Sequence, residues 1–191
     1  ISISMPPFPD FIEGNYTTFQ KGQLHPDRHN LGYFDLLFVR AGTLYLAEEE
    51  EKYEVGPNKM LILLPDKHHF SWKAADEKTS FYWIHFYTTA KWEESDRPSS
   101  FISDLPIPHL HYHQRSYTLH LRKIAELKEI DTLYLMIQEI LRSTESDDAS
   151  EIWKTEELFL RFLQFIENQG TYKSRKASIA EKVLLYLENN F

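Results

Sequence analysis

This 191-residue sequence has no cysteine and only six glycines. Without cysteine the chain cannot form a disulfide, use a thiol nucleophile or bind a metal through thiolates. Phosphate-binding loops and dinucleotide fingerprints need several closely spaced glycines, and neither pattern occurs, nor does a nucleophile-elbow motif. These absences exclude several common classes of enzyme.

Long hydrophobic runs and an excess of basic residues are absent as well. No stretch of 18 apolar residues occurs, and the N-terminus lacks the basic start and long apolar core of a secretory signal. The formal net charge of −8 opposes binding of the whole chain to a phosphate backbone. The sequence therefore predicts a cytoplasmic protein that neither enters a membrane nor binds nucleic acid through these residues.

Short apolar segments dominate residues 16–87 and are separated by turn residues such as Gly42 and Gly56. They are rich in β-branched and aromatic residues, which is typical of strands. The clearest are Phe34–Val39, Thr43–Ala47, Lys52–Val55, Met60–Leu64 and Phe81–Tyr87. Their even spacing predicts an antiparallel sandwich or barrel.

The segment Phe81–Tyr87 is aromatic on both faces, so neither face is an ordinary solvent face. Side chains alternate along a strand, which separates Phe81, Trp83, His85 and Tyr87 from Tyr82, Ile84 and Phe86. The row that contains the imidazole is suited to lining a small-molecule pocket. Burial in an ordinary core is the alternative interpretation.

Helical periodicity replaces the strand pattern after residue 114. We expect one helix over Tyr117–Ile130, a second that begins after an Asp131 N-cap, and a third over Glu151–Asn168 that ends at Gly170. Residues 158–166 are apolar on almost every side. A helix of that kind needs partners on two sides, which favours dimerisation.

The remaining sequence predicts a basic linker at residues 171–177 and an amphipathic helix over Ser178–Phe191. The first 14 residues contain three prolines and predict an extended arm. Ile107–His113 predicts one more strand, whose alternating histidines His109, His111 and His113 we expect to be solvated rather than metal-bound.

The order of these segments resembles the N-terminal effector-binding and dimerisation domain of AraC/XylS-type transcription regulators. The resemblance rests on Arg28, then FDLLFVRAGTLYL, MLILLPDKHHFSW and TSFYWIHF, followed by two long helices. It implies a mainly β fold followed by α, with a cupin-like (jelly-roll) β-barrel. It also implies that residues 178–191 begin a truncated helix-turn-helix DNA-binding domain.

The resemblance further implies how the chain is divided and what it binds. The division is an arm (1–14), an effector-binding barrel (15–114), a helical dimerisation unit (115–170), a linker (171–177) and the opening helix of the DNA-binding domain (178–191). The implied partners are a small-molecule effector such as a sugar, a second copy held through helices 131–143 and 151–168, and DNA only through the C-terminal domain.

The sugar contacts of an arabinose-responsive member match Arg28, Phe70, Phe81 and Trp83 by motif. Phe70 and Phe81 replace a tyrosine and a histidine of that member and cannot donate to a sugar hydroxyl. His69 and His85 complete the implied pocket, and Phe8 lies on the arm, which we expect to close over the ligand as a lid. The effector is therefore predicted to be a sugar or another small metabolite.

The alternative function is that of a metal-dependent cupin enzyme, such as a sugar isomerase or dioxygenase. Such enzymes place two histidines in an H-x-H motif, but TLYLAEEEE has no histidine. The adjacent His68 and His69 point to opposite faces of a strand and cannot chelate one ion together. The sequence therefore predicts no metal, no cofactor and no catalytic residue.

Overall fold

The computed structural model describes residues 1–95, 117–146 and 148–190, with side chains described as far as Gln169. The predicted strand Ile107–His113, with its three histidines, lies outside the described residues. The strands are β1 (Ser2–Met5), β2 (Asp10–Phe19), β3 (Arg28–His29), β4 (Phe34–Ala41), β5 (Leu44–Glu48), β6 (Glu51–Val55), β7 (Lys59–Leu63), β8 (His68–Ser71), β9 (Thr79–Tyr87), β10 (Trp92–Glu93), β11 (Tyr117–His120) and β12 (Ile124–Glu126). The helices are α1 (Ile130–Ser143) and α2 (Ala149–Asn190).

The strands within the described residues form three antiparallel sheets. The largest has the order β12-β7-β4-β9-β2, the second β3-β8-β5-β6, and the smallest β10-β1-β11. Side chains of the two larger sheets form one apolar cluster, which includes Leu37, Val39, Leu46 and Phe81. The predicted class, mainly β followed by α, is confirmed.

The opposite face of the five-stranded sheet packs against the helices. Leu36 and Ile84 belong to the same buried cluster as Ile137 of α1 and Phe162 of α2. Strand β4 is thus covered on both faces, which explains why FDLLFV is apolar almost without alternation. The predicted division of the β9 side chains is confirmed, because Tyr82, Ile84 and Phe86 face the helices.

The first 14 residues are extended, as expected, but they are docked. Strand β1 pairs with β10 and β11, and β2 pairs with β9 along almost its whole length. Phe11 packs edge-on against Phe159 of α2, with ring centroids 5.7 Å apart. In this arrangement Phe11 lies on the helical side and Phe8 is largely exposed, so the lid over the pocket stays a prediction.

The helix predicted over Tyr117–Ile130 is wrong, since this segment supplies β11 and β12. Strand β11 pairs with β1, and β12 adds to the edge of the five-stranded sheet beside β7. Both sheets offer unpaired backbone groups there, so tertiary hydrogen bonding outweighs the local helical spacing. Helix α1 begins at Ile130, with Asp131 in its first turn rather than at the N-cap.

Helix α2 continues without interruption to Asn190, so the structure differs from the predicted helix end at Gly170 and linker at 171–177. A single glycine inside a helix costs only about 1 kcal/mol, and the lysine, arginine and alanine after it are good helix formers. The division into effector-binding and DNA-binding domains stays a prediction. Among the described residues, no helix is both long and apolar enough to cross a membrane.

Candidate functional site

A cavity of about 280 Å³ opens beside the two larger sheets and is bounded by β2, β3, β4, β9 and the loop before β3. Its apolar wall is formed by Phe19, Phe81 and Trp83. Its polar wall is formed by Glu13, His25, Arg28, Tyr33, Asp35 and His85, with Thr17 and Pro26 at the sides. The cavity lies close to the lower limit of typical ligand sites, about 300 Å³.

Strand register brings the deep residues of the cavity together. Asp35 of β4 lies opposite His85 of β9, and Val39 lies opposite Phe81. Residues that are opposite each other share a face of the sheet, so the Asp35 side chain lies on the same face as Phe81 and His85.

His85 lies between two carboxylates. Its Nδ1 atom is 3.0 Å from Glu13 Oε1, and its Nε2 atom is 3.6 Å from Asp35 Oδ2. Burial by itself would lower the pKa of His85, but the two carboxylates outweigh it and raise the pKa above its ordinary value. The raised pKa therefore favours the protonated form of His85 beside the buried Asp35.

His25 has a lowered pKa, which favours its neutral ring, and a backbone contact decides which nitrogen carries the hydrogen. Its Nδ1 atom is 3.1 Å from the carbonyl oxygen of Pro26, which can only accept, so Nδ1 carries the hydrogen. Nε2 is then a free acceptor 3.9 Å from Asp35 Oδ2. Burial lowers the pKa of His25 in spite of the neighbouring Asp35.

Three side chains in the described part of the chain have buried polar atoms without a hydrogen-bond partner: Asp35, His69 and Gln169, the last through its Nε2 atom on α2. Near the cavity these atoms are Asp35 Oδ1 and both ring nitrogens of His69. The pKa of His69 is lowered to about 4, first by burial and then by the neighbouring His25 and Arg28. Because unpaired buried polar atoms are costly, Asp35 marks a place where a ligand donor would be stabilising.

The apolar wall is held in one orientation. Trp83 Nε1 donates to Thr17 Oγ1 over 2.9 Å, and Phe19 and Phe81 meet edge to face with centroids 5.0 Å apart. The indole also packs against His85, with ring centroids 4.6 Å apart. A half-buried indole held in this way offers an apolar surface to a ligand ring.

The structure brings together four of the seven side chains predicted for the ligand site. Arg28, Phe81, Trp83 and His85 all line the cavity, and His69 lies behind it, 5.6 Å from the His25 ring. The other two, Phe70 and Phe8, are elsewhere.

Phe70 and Phe8 do not face this cavity, so their assignment to it is wrong in this structure. Phe70 stacks on His68, with ring centroids 4.7 Å apart, because alternation on β8 turns it away from buried His69. Phe8 is 54% exposed and lines a second, apolar cavity of about 420 Å³ between β1, β11 and α2.

Sequence reasoning missed His25, Asp35 and Glu13. Asp35 had a usable signal, because it is a lone acid in the apolar run FDLLFV and alternates with Leu37 and Val39. An acidic residue buried in such a run usually has a specific partner. Glu13 was missed because residues 1–14 were assigned to a separate arm, and His25 because its loop has no periodic pattern.

Comparison with known proteins places these features in context. The AraC-like ligand binding domain family matches residues 16–163. An uncharacterized HTH-type transcriptional regulator of Bacillus subtilis (strain 168), YisR, is 41% identical over 86 residues. That match covers 45% of this chain and 30% of the relative.

Similar solved structures include two cupin proteins. One is a cupin superfamily protein of Desulfitobacterium hafniense, with a TM-score of 0.36, 15% identity, and coverage of 46% of this chain and 79% of that one. The other is the Cnp3 cupin domain of Schizosaccharomyces pombe, with a TM-score of 0.36, 10% identity, and coverage of 40% and 56%.

Proposed function

This chain belongs to the AraC-like ligand binding domain family, and we propose that its cavity binds the effector of a cytoplasmic DNA-binding transcription regulator. The observation that carries the proposal is Asp35, whose side chain is 2% exposed and whose Oδ1 atom has no partner among the described residues. A buried oxygen without a hydrogen bond destabilises the fold, and a bound ligand that donates to it would remove this cost.

We propose a small polyhydroxylated effector, such as a sugar. Asp35 Oδ1 and His25 Nε2 are acceptors for ligand hydroxyl groups, while Arg28 supplies donors. Trp83 then covers the apolar face of the sugar ring. Phe81 contributes apolar packing only, which leaves hydroxyl recognition to Arg28, His25 and Asp35.

A thermal-shift screen of neutral sugars and polyols, followed by calorimetry on each hit, tests this proposal. A bound ligand raises the melting temperature by mass action. Arg28→Ala should weaken binding of a hit at least about tenfold, since a hydrogen bond to a charged group contributes about 1.5–3 kcal/mol. Arg40→Ala is the matched control, because Arg40 is exposed and lies over Tyr134 on the helical side. Equal effects of the two variants would contradict the proposed site.

The signal reaches the helices through β9, in our proposal. One face of β9 contributes Phe81, Trp83 and His85 to the cavity, and the other contributes Tyr82, Ile84 and Phe86 to the core shared with α1 and α2. A ligand that favours one position of this strand shifts the population of helix arrangements. Amide hydrogen exchange in α1 and α2 that is unchanged by a saturating ligand would contradict this route.

We propose that two copies of the chain associate through α1 and α2. Three large apolar side chains on these helices are exposed: Leu135 at 66%, Ile152 at 60% and Trp153 at 79%. Leu135→Glu combined with Trp153→Glu should convert a dimer to a monomer in analytical ultracentrifugation. Leu24→Glu is the control, because Leu24 is 56% exposed on the barrel. A wild-type monomer at micromolar concentration would overturn this part of the proposal.

The family favours a regulator rather than the alternative, a metal-dependent cupin enzyme. Within the described ranges, the group of three close metal-ligating side chains is Asp27, His29 and His68, which do not line the cavity. A stoichiometric metal that is lost when His85 is changed to alanine would favour the enzyme.

A further inference from the structure

We propose that Asp27, His29 and His68 form a surface site for a divalent transition metal ion of the zinc type. Each residue offers one ligand atom, and the three atoms lie within 4.8 Å of one another. Two imidazoles and a carboxylate are a usual protein donor set for zinc, with water in the fourth position. None of the three lines the proposed effector cavity.

Pairing of β3 with β8 creates the site. His29 lies directly opposite His68 in the antiparallel register, and their rings are parallel with centroids 3.7 Å apart. Asp27 Oδ1 is 2.8 Å from His68 Nε2 and 3.6 Å from His29 Nε2. Both Nε2 atoms therefore converge on one carboxylate oxygen, although the two histidines are far apart in sequence.

The two stacked imidazoles must turn before they can hold one ion. Tetrahedral zinc with Zn–N distances of 2.0–2.1 Å separates two nitrogens by about 3.3 Å. Each imidazole binds a metal in its own plane, so the parallel rings must tilt towards a common point. His29 is 65% exposed and free to turn, whereas the His68 side chain is 27% exposed.

Two contacts restrict the position of His68. Phe70 stacks on the face of His68, so that Phe70, His68 and His29 form a row of three rings. The His68 backbone N–H donates to Glu49 Oε1 over 2.7 Å, which anchors this residue to the end of β5. Groups that orient a ligand imidazole typically change metal affinity by about 10–100-fold.

A bound ion would join β3 to β8 at the edge of their sheet. Strand β3 consists of Arg28 and His29 only, so the residue beside the ion ligand is the cavity arginine. The expected role is therefore to fix the short strand that positions Arg28.

Zinc titration of untagged, chelator-treated protein tests the site, with a chromogenic indicator as competitor. Wild type should bind one Zn²⁺ tightly enough to raise its melting temperature at micromolar metal. His29→Ala should weaken binding at least about tenfold, because loss of a ligand costs more than loss of a supporting group. Since His29 is exposed, this variant should keep its metal-free melting temperature, which separates lost binding from misfolding.

Other histidines require a control of their own. The combined variant His109→Asn, His111→Asn and His113→Asn should bind zinc as wild type does. The proposal would be overturned if wild type bound no zinc at about 0.1 mM metal. It would also be overturned if the His29→Ala variant bound zinc as tightly as wild type, or if the triple variant lost zinc binding. Since effector binding is measured without zinc, failure of this site leaves the proposed sensor function to its own test.

Discussion

Asp35 and His85 lie opposite each other on β4 and β9, with Asp35 Oδ2 3.6 Å from His85 Nε2. Both side chains are at most 5% exposed. A buried carboxylate is stable only when it is neutralised or hydrogen-bonded, so the His85 imidazole stabilises the Asp35 carboxylate.

Replacing Asp35 with asparagine is expected to lower the pKa of His85. Asp35 is the stronger of the two carboxylate influences that raise this pKa against the effect of burial. Imidazole chemical shifts followed by NMR across a pH titration measure the change directly. Glu13→Gln is the comparison and should lower the pKa less, because the Glu13 side chain is 58% exposed and its charge is screened. A larger fall in the Glu13 variant would contradict this ranking.

Stability is expected to fall on acidification because of His69. The pKa of this residue is lowered from 6.5 to about 4 in the folded state, so between these values the unfolded chain binds more protons. Folding stability therefore rises with pH from about 4 to 6.5. Since each pKa unit corresponds to about 1.36 kcal/mol, His69 accounts for about 3 kcal/mol of this rise.

The variant His69→Leu removes this titration and tests its sign. Urea unfolding of wild type and variant at several pH values gives the difference in the free energy of unfolding. As the pH falls from 6.5 to 4, the free energy of unfolding should decrease less in the variant than in wild type. A difference that does not depend on pH would rule out a depressed pKa at His69. His85 has the opposite sign, because its raised pKa stabilises the fold below 6.5 and is lost as pH rises through the folded-state pKa.

Glu48 is expected to be essential for the stability of the second sheet. Its side chain is 1% exposed, lies within salt-bridge distance of Lys67 and Lys123, and accepts the Leu64 N–H over 2.6 Å. Glu48→Ala leaves the buried Leu64 N–H without its partner, whereas Lys67 and Lys123 keep Glu94. We expect a loss of about 1–3 kcal/mol in the free energy of unfolding. The neighbouring exposed Glu50→Ala should change stability by no more than about 0.5 kcal/mol. Similar losses in both variants would show that the Glu48 network contributes little.

Gly42 is expected to tolerate no side chain. It has φ of +74°, and a Cβ atom there would be 2.7 Å from Thr79 Cα and 2.8 Å from the Lys78 carbonyl oxygen. Gly22→Ala is the matched control, because Gly22 has φ of +90° with nothing within 4 Å. Both variants bear the backbone cost of positive φ, but only Gly42→Ala adds a steric clash. We therefore expect Gly42→Ala to be less stable than Gly22→Ala by about 1–3 kcal/mol in thermal unfolding. Equal losses would mean that the turn opens to accept the methyl group.

The fold class could be predicted because it depends on local patterns. Runs such as FDLLFV and TLYLA alternate or stay apolar in lengths that suit only strands, and the Leu133 to Leu141 stripe suits only a helix. Segments with weaker patterns were decided by their neighbours. Tyr117–His120 became a strand because β1 offered backbone partners, and no periodicity within the segment contains that information.

The sequence alone determined which side chains of Phe81–Tyr87 share one face of a strand. Alternation placed Phe81, Trp83 and His85 together, and the family resemblance added Arg28. Only the tertiary structure added His25, Asp35 and Glu13, which come from different strands and a loop. It also brought His29 to His68 through strand pairing. The physical reason is that periodicity fixes the direction of neighbouring side chains, whereas a site needs convergence of distant segments, which packing and register decide.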